Sequence, residues 1–293
     1  MGYTLAKSMG KHPAVFDHLY IAMVRAGEMS GSMGEIMDRL AFLLEREVKL
    51  RSKISAATTY PMVVFGACCL VTFILVNYIF PTFVALFEGI DVQLPLVTRS
   101  LMWITKMATD WRVLTGLGIG LVLTIYFATQ YIKTPGGRRS YDGMLLNMPL
   151  IGPVVQKVAL SRFCRTLGTL LASGVPVVHA LEIVARAVGN EVIGDMLLKI
   201  QSQLKQGTRL SEPMRENKLF PPMLSQMVAV GEETGNLPVL LDKLADFYDV
   251  EVEHVLESLT SMLEPLMIFF MGIVVGYVLL AVFMPVYSLI EKF

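Results

Sequence analysis

The chain of 293 residues carries 25 basic and 25 acidic side chains, so its formal net charge at pH 7 is zero. Hydrophobic residues make up 54% of the sequence and charged residues only 17%. This composition is too apolar for an ordinary soluble domain and is typical of a membrane protein. We therefore expect a membrane protein, and we expect no nucleic-acid partner.

The first predicted element is a helical corner within residues 1–58. It runs from Gly27 to Gly31 with the sequence Gly-Glu-Met-Ser-Gly. Gly31 can adopt a positive φ between two helices, and Ser32 suits the N-cap of the helix that follows. Glu28 lies near a helix end where the macrodipole disfavours a carboxylate, so we expect it to have a specific partner or to face water for a reason.

Three uncharged runs predict three transmembrane helices. They cover residues 61–80, 113–132 and 265–290, and about 20 residues at roughly 1.5 Å each cross a hydrocarbon core of about 30 Å. With their flanks they give transmembrane helices at 59–83, 113–132 and 263–290, with a loop at 84–112. Buried helices of a large soluble core are the alternative, but such helices are usually shorter and carry polar residues on one face.

The basic residues predict the orientation of these helices. Four basic residues lie between positions 46 and 53 and five between positions 133 and 162, whereas residues 84–110 contain only Arg99 and Lys106. Lys and Arg remain on the cytoplasmic side of a membrane. Residues 1–58 and 133–262 are therefore predicted to be cytoplasmic, including the N-terminus, and the loop at 84–112 periplasmic.

Residues 133–262 are predicted to form a cytoplasmic domain of about six helices. Proline and glycine residues punctuate an otherwise helical pattern, and no segment shows the alternation of a strand. The predicted helices are 155–172, 176–188, 190–206, 210–216, 222–232 and one from 237 into the third span.

No catalytic, cofactor or metal site is predicted. The three cysteines and four histidines are scattered without the spacing of a disulfide framework or a metal site. The glycine-rich stretches lack the context of a phosphate loop or a dinucleotide site. We therefore expect a protein that is not an enzyme and holds no cofactor.

The corner sequence returns once, 204 positions further along the chain. Residues from Gly231 to Gly235 read Gly-Glu-Glu-Thr-Gly, and Glu232 repeats the position of Glu28. The same offset relates the prolines Pro61 and Pro265 as well as Pro81 and Pro285. A constant offset across polar and apolar segments indicates that one structural unit was duplicated.

Four segments carry a resemblance to a known family. They are residues 161–176 (SRFCRTLGTLLASGVP), 220–223 (FPPM), 230–237 (VGEETGNL) and 264–266 (EPL). With these residues the chain resembles the GspF/PilC family, the inner-membrane platform proteins of type IV pilus and type II secretion machines. The resemblance covers essentially the whole chain and leans towards the pilus branch.

The resemblance implies a mechanical role in the bacterial inner membrane. The expected partners are a cytoplasmic hexameric assembly ATPase, pilin or pseudopilin subunits, other inner-membrane components of the machine, and further copies of the chain. A static scaffold of the same machine and a small membrane transporter are the alternatives. The candidate structural or partner-contact residues are Gly27, Glu28, Gly31, Arg162, Arg165, Gly174, Pro176, Gly231, Glu232, Gly235, Glu264 and Pro265.

The resemblance implies an all-α protein with two homologous cytoplasmic helical bundles, of which the first is incomplete here. Family members open the first bundle with the signature that this chain carries at residues 165–176, and its counterpart before residue 1 is absent. Residues 1–58 match only about residues 207–262. Either the sequence is truncated at its N-terminus, which is what we expect, or the protein has lost three helices of the first domain. If the start is real, the remaining helices of the first domain should expose an apolar face and need a partner set of helices.

Overall fold

The structure is a computed structural model that describes residues 4–12, 15–16, 18–87 and 95–290. Across these residues the secondary structure is helical without a strand, which confirms the predicted all-α class. The helices are α1 (Leu5–Met9), α2 (His18–Ser30), α3 (Met33–Ile74), α4 (Phe80–Phe87), α5 (Leu96–Thr109), α6 (Trp111–Lys133), α7 (Pro135–Asn147), α8 (Gly152–Ala172), α9 (Val177–Ala187), α10 (Glu191–Leu204), α11 (Ser211–Arg215), α12 (Pro222–Thr234) and α13 (Leu237–Ile290).

The chain divides into two compact units. One unit, the helical bundle, comprises Met1–Ser55 and Ile132–Glu257, and the other, the apolar unit, comprises Ala56–Tyr131 and Ser258–Phe293. The long helices α3 and α13 each begin in the helical bundle and end in the apolar unit.

Helix α8 lies at the centre of the helical bundle. Its side chains Phe163, Leu167 and Leu170 are completely buried. Buried residues of α9, α10, α12 and α13 complete the same hydrophobic core. Met23 of α2 and Leu40 of α3 also belong to this core. The segment predicted as a partial first domain therefore shares one core with the second copy of the repeat.

The turn from α8 into α9 shows how sequence sets a helix end. Gly174 has φ of +81°, and its N–H donates to the carbonyl of Leu171 at 3.0 Å. The N–H of Val175 donates to the carbonyl of Leu170, also at 3.0 Å. These two bonds form a Schellman motif, in which glycine takes the left-handed position without a Cβ clash. Pro176 then stands at the N-cap of α9.

The predicted helices of the cytoplasmic domain correspond to α8–α13 with small shifts at their ends. Helix α7 was not predicted, because its sequence begins Pro-Gly-Gly and its glycines lower helix propensity. It forms behind a local cap, in which the Thr134 side chain accepts a hydrogen bond from the Gly137 N–H at 3.1 Å.

The apolar unit supplies the predicted spanning helices. Three stretches of the described residues are long and apolar enough to cross a membrane: Met33–Phe83, Trp111–Lys133 and Leu237–Pro285. Helices α7 and α8, bent by 112° at their junction, could count as a fourth span by length and composition. We assign them to the helical bundle because α8 fills its core and carries three basic side chains.

The loop predicted at residues 84–112 contains a helix, α5. Residues 88–94 of that loop lie outside the described residues. Within the apolar unit, Leu101 of α5 packs with Phe80 and Val278, and the buried Thr98 hydroxyl donates to the carbonyl of Ala281 at 2.8 Å. Helix α5 is thus fixed by contacts distant in sequence.

The first span contains a local irregularity that the third span lacks. A π-helical turn, Leu75–Ile79, separates α3 from α4, and Phe80 donates its N–H to the Leu75 carbonyl. Pro81 follows directly, and a proline ring clashes with the carbonyl four residues before it in a regular α-helix. A wider turn relieves that clash. Pro285, the repeat counterpart of Pro81, lies within the uninterrupted helix α13.

Candidate functional site

The first glycine of each corner lies where two successive helices approach closely. A Cβ added at Gly231 would lie 2.9 Å from the Leu237 Cα, and one added at Gly27 would lie 3.1 Å from Cγ1 of Ile36. Real Cβ atoms do not make contacts this short without displacing a neighbour. The absence of a side chain at both positions therefore allows α2 to meet α3, and α12 to meet α13.

The second glycine of each corner makes the turn. Gly31 has φ of +73° and Gly235 has φ of +72°, both in the left-handed region. Nothing lies within 4 Å of a Cβ built at either position, so backbone conformation and not space requires glycine there. The structure thus has the positive φ that the sequence predicts at both corners.

The corner glutamates bind the N-termini of short helices. Glu232 accepts hydrogen bonds from the N–H of Leu210 at 2.6 Å, from the N–H of Ser211 at 3.1 Å and from the Ser211 hydroxyl at 2.6 Å. Glu28 likewise accepts hydrogen bonds from the N–H groups of Leu5 and Ala6. The first N–H groups of a helix have no partner within the helix, and a carboxylate satisfies them well. This is the specific partner that the sequence analysis expects.

An arginine cluster joins α8 to α13. The Arg165 side chain is only 7% exposed, and its guanidinium contacts Asp242 at 2.8 Å, Asp246 at 2.9 Å and Asp249 at 2.7 Å. Ser161 also donates its hydroxyl to Asp249. Burial alone would lower the pKa of Arg165, but the hydrogen bond and charge of Asp246 and of Asp249 raise it above its usual value. The guanidinium therefore stays charged.

Helix α8 also forms ion pairs with the two long helices at equivalent positions. Arg162 pairs with Glu47 of α3 at 3.3 Å, and Lys157 pairs with Glu251 of α13. Glu47 and Glu251 are identical residues 204 positions apart. In the helical bundle α8 therefore bridges the two long helices at equivalent positions of the repeat.

Two further ion pairs connect α3 directly with α13. Arg46 lies 3.7 Å from Asp246, and Lys53 pairs with Glu253. The hydrogen bond from Lys53 is the main reason that the pKa of Glu253 is lowered. These pairs are partly exposed, so each contributes little stability on its own, and their main effect is to fix the register of the two helices.

The remaining predicted residues fall into two places. Gly174 and Pro176 line a groove of about 630 Å³ together with α2 residues such as His18 and Arg25. Glu264 and Pro265 lie exposed on α13 within the apolar unit. The structure thus brings the corner and arginine residues into one unit, while Glu264 and Pro265 belong to the other.

The acidic partners of Arg165 were missed by the sequence analysis. Asp242, Asp246 and Asp249 follow one another at spacings of four and three residues, which places them on one face of a helix. That spacing was a usable signal, but it does not say which cation faces the acids. Within the described residues, no group of His, Cys, Asp or Glu is arranged to hold a metal ion.

Comparisons with known proteins define the class. The family model of type II secretion system (T2SS) protein F matches this chain twice, at residues 1–81 and 163–285. The matches end at Pro81 and Pro285, the paired prolines of the internal repeat. Together they cover more than half of the chain, and the chain therefore belongs to the type II secretion system protein F family.

Individual relatives agree with this assignment. The chain is 40% identical over 291 residues to a type IV pilus assembly protein PilC of Thermus thermophilus, covering 99% of this chain and 71% of the relative. It is 38% identical over 288 residues to a PilC of Myxococcus xanthus, covering 98% and 69%. A type II secretion system protein F of Pseudomonas aeruginosa is 32% identical over 289 residues, covering 98% and 71%.

The names of these relatives describe assembly and secretion-system components and not enzymes. This confirms the prediction that the chain is not an enzyme. With its three apolar helices, it is a membrane protein of this family.

Proposed function

We propose that this protein is the inner-membrane platform of a type IV pilus or type II secretion machine. In this role it couples a cytoplasmic hexameric assembly ATPase to the insertion of pilin or pseudopilin subunits into a filament. The relatives named as pilus assembly proteins include matches at 38% and 40% identity, against 32% for a protein F relative, which supports the pilus branch.

The observation that carries the proposal is the continuity of α13. This single helix begins at the Gly235 corner, holds Arg165 through Asp242, Asp246 and Asp249, and continues to residue 290 through an apolar stretch. A helix without a break is stiff because backbone hydrogen bonds join successive turns. Pro265 and Pro285 lie inside α13 and each remove one of these bonds, but the helix continues through both positions. A displacement of the helical bundle would therefore reach the apolar part of α13 without being lost in a flexible linker.

In the proposed mechanism the ATPase engages the helical bundle on the cytoplasmic side. Helices α3 and α13 carry the motion into the membrane, where helical subunits pass from the bilayer into the filament. The N-terminus is cytoplasmic, as the distribution of basic residues favours. Further copies of the chain complete the platform around the filament base.

An insertion experiment tests the transmission through α13. We place seven Gly and Ser residues after Glu257, the last residue of the helical bundle, so that the insertion leaves the arginine cluster intact. The flexible insertion is expected to abolish filament assembly while the protein still inserts into the membrane. A seven-residue helical insertion is the matched control, since it preserves the rotation of the helix to within about 20°. Filament assembly with the flexible insertion would rule out rigid transmission.

A static scaffold of the same machine is the second candidate. Cross-linking from the helical bundle to a co-expressed assembly ATPase, with and without ATP, separates the two. The mechanical role predicts a cross-link pattern that changes with nucleotide. An unchanged pattern supports the static scaffold.

A small transporter is the third candidate. It requires a polar path or a broken helix at the membrane midplane. The spanning stretches are uniformly apolar. The sequence therefore offers no polar path of the kind that a transporter requires. Measurable flux of a small solute through vesicles that contain only this protein would favour it.

A further inference from the structure

Helix α5 has one packed face and one exposed apolar face. Leu101 and Thr98 lie on the packed face and are 3% and 1% exposed. On the other side, Leu96, Trp103 and Met107 follow one another at spacings of seven and four residues, which places them on one face of a helix. These three side chains are 81%, 63% and 40% exposed. We call them the α5 stripe.

Contacts within the apolar unit hold α5 at the ends of the spanning stretches. Leu101 packs with Phe80 and Val278, which lie near the ends of the first and third spanning stretches. Only Asp110 separates α5 from α6, which is the second spanning stretch. A helix that is tied this closely to all three stretches lies at the edge of the membrane that they cross.

Helix α5 is too short to cross the membrane itself. Its 14 residues extend for about 21 Å, whereas the hydrocarbon core is about 30 Å thick. Arg99 and Lys106, seven residues apart, border the α5 stripe on one side, and both are exposed. A helix that combines an apolar face with basic side chains lies in the interface plane of a bilayer, with its apolar face towards the acyl chains.

The two tryptophans of the chain both lie at this membrane edge. Trp103 belongs to the α5 stripe, and Trp111, which is 68% exposed, begins α6. Tryptophan is enriched at membrane–water interfaces, because its ring is apolar while its indole N–H needs a polar partner. The positions of the tryptophans therefore favour lipid as the partner of the exposed face of α5.

We propose that the α5 stripe is inserted into the bilayer interface and that Arg99 and Lys106 bind the phosphates of anionic phospholipids there. The stripe enters the boundary between headgroups and acyl chains, which removes its apolar surface from water. The long aliphatic stems of the two basic side chains let their charges remain at the level of the headgroups. Because its packed face holds Phe80 and Val278, α5 anchors the ends of two spanning stretches to the lipid surface.

Trp103 is a built-in probe for this contact. Trp111→Phe leaves it as the single tryptophan of the chain. The full chain is reconstituted into vesicles of phosphatidylcholine and phosphatidylglycerol in equal parts. Its fluorescence is then quenched either by acrylamide in the water or by lipids that carry bromine at a known depth. The proposal predicts that lipids brominated near the headgroup quench Trp103 at least about twofold more strongly than lipids brominated near the chain end.

A tryptophan in the helical bundle is the matched control. Leu198, exposed in α10, is replaced by tryptophan in a chain that also carries Trp103→Phe and Trp111→Phe. This tryptophan should be quenched by acrylamide and not by the brominated lipids. Circular dichroism should show equal helicity for the control and the Trp111→Phe chain, so that the difference in quenching reports position and not unfolding.

A second measurement tests the two basic residues. Vesicles of phosphatidylcholine receive the same small share of brominated phosphatidylglycerol or of brominated phosphatidylcholine. The anionic lipid is expected to quench Trp103 at least about threefold more strongly, because each basic residue near the surface attracts it. Arg99→Gln combined with Lys106→Gln should abolish this preference. Lys199→Gln combined with Lys205→Gln makes the same change of charge at exposed positions of the helical bundle and should preserve it.

Three outcomes overturn the proposal. Quenching of Trp103 by acrylamide without quenching by brominated lipid would mean that the α5 stripe faces water. Protection of Trp103 from both quenchers would mean that protein covers the stripe, which in vesicles of the purified chain is a second copy. Equal quenching by the anionic and the zwitterionic brominated lipid in the Trp111→Phe chain would mean that Arg99 and Lys106 do not bind anionic headgroups.

Discussion

The two corners, Gly27–Gly31 and Gly231–Gly235, have the same backbone turn, but they differ in how closely the neighbouring atoms pack against their first glycine. Both turn at a glycine with φ near +72° to +73°, and both use a glutamate to bind the N-terminus of a short helix. At Gly231 the neighbour is backbone, the Leu237 Cα at 2.9 Å from an added Cβ, whereas at Gly27 it is the side chain of Ile36 at 3.1 Å. A side chain can shift where backbone cannot. The corner of the second copy is therefore the more rigid one.

A second contrast concerns what covers the long helices. Helix α13 is held by the arginine cluster, while the equivalent face of α3 is exposed. Helix α3 instead buries its other face in the common core. The corner is therefore the same in both copies of the repeat. The face that is buried on the long helix after it, α3 or α13, depends on which helices pack against that copy.

The rate at which Cys164 is chemically labelled measures how strongly these contacts stabilise the helical bundle. It is completely buried in α8, and burial raises the pKa of its thiol well above the usual range. A buried, protonated thiol reacts with a labelling reagent only when the structure opens. With Cys68→Ser and Cys69→Ser as background, the labelling rate of Cys164 reports the opening of the helical bundle.

The largest effect is expected for Arg165→Met. This change leaves three aspartates without their cation in a partly buried cluster, which costs up to about 3 kcal/mol. The cost stays below the upper end of the known range because the side chains of Asp242 and Asp246 are 51% and 42% exposed. Labelling of Cys164 should accelerate by roughly 100-fold. The control Arg39→Met removes only an exposed pair with Glu35 and should change the rate by less than about threefold.

If Arg165→Met and Arg39→Met gave the same labelling rate, the cluster would not hold α13 to α8. The distinction between the covered and the uncovered long helix would then lose its energetic basis.

An intermediate loss of stability is expected when the first glycine of either corner is replaced by alanine. Gly231→Ala should destabilise the bundle by about 2 kcal/mol, because the new methyl group meets backbone, and Gly27→Ala by about 1 kcal/mol. Gly235→Ala and Gly31→Ala should each cost about 1 kcal/mol, since both force a non-glycine residue to a positive φ. Equal costs at Gly231 and Gly27 would contradict the difference in tightness.

The smallest loss of stability is expected when the glutamate of either corner is replaced by glutamine. Glu232→Gln should cost about 1 kcal/mol, because the charge is lost from three hydrogen bonds to Leu210 and Ser211. Glu28→Gln should cost less, since its bonds lie in a more exposed place. Hydrogen exchange of the Leu210 and Leu5 amides, read by mass spectrometry, measures both. A larger increase in exchange, relative to the unaltered chain, at Leu5 in Glu28→Gln than at Leu210 in Glu232→Gln would reverse the expected order.

Much of the local structure could be predicted from the sequence. The bounds of α9 and α11, the positive φ at Gly31 and Gly235 and the need of Glu232 for a partner follow from residues close in the chain. Helix α5 could not be predicted in this way, since contacts with α13 and the first span stabilise it. The partners of Arg165 also lie 77 or more residues away, so no local rule could name them.

The sequence by itself determined the membrane class, the three apolar helices, the internal repeat and the family, because hydrophobic length, glycine and proline positions and a fixed offset are properties of the chain alone. Only the tertiary structure decided which face of each long helix is covered and which cation the three aspartates bind. Those outcomes depend on the packing of α8 against both copies, and close packing between elements distant in sequence is not encoded in any single segment.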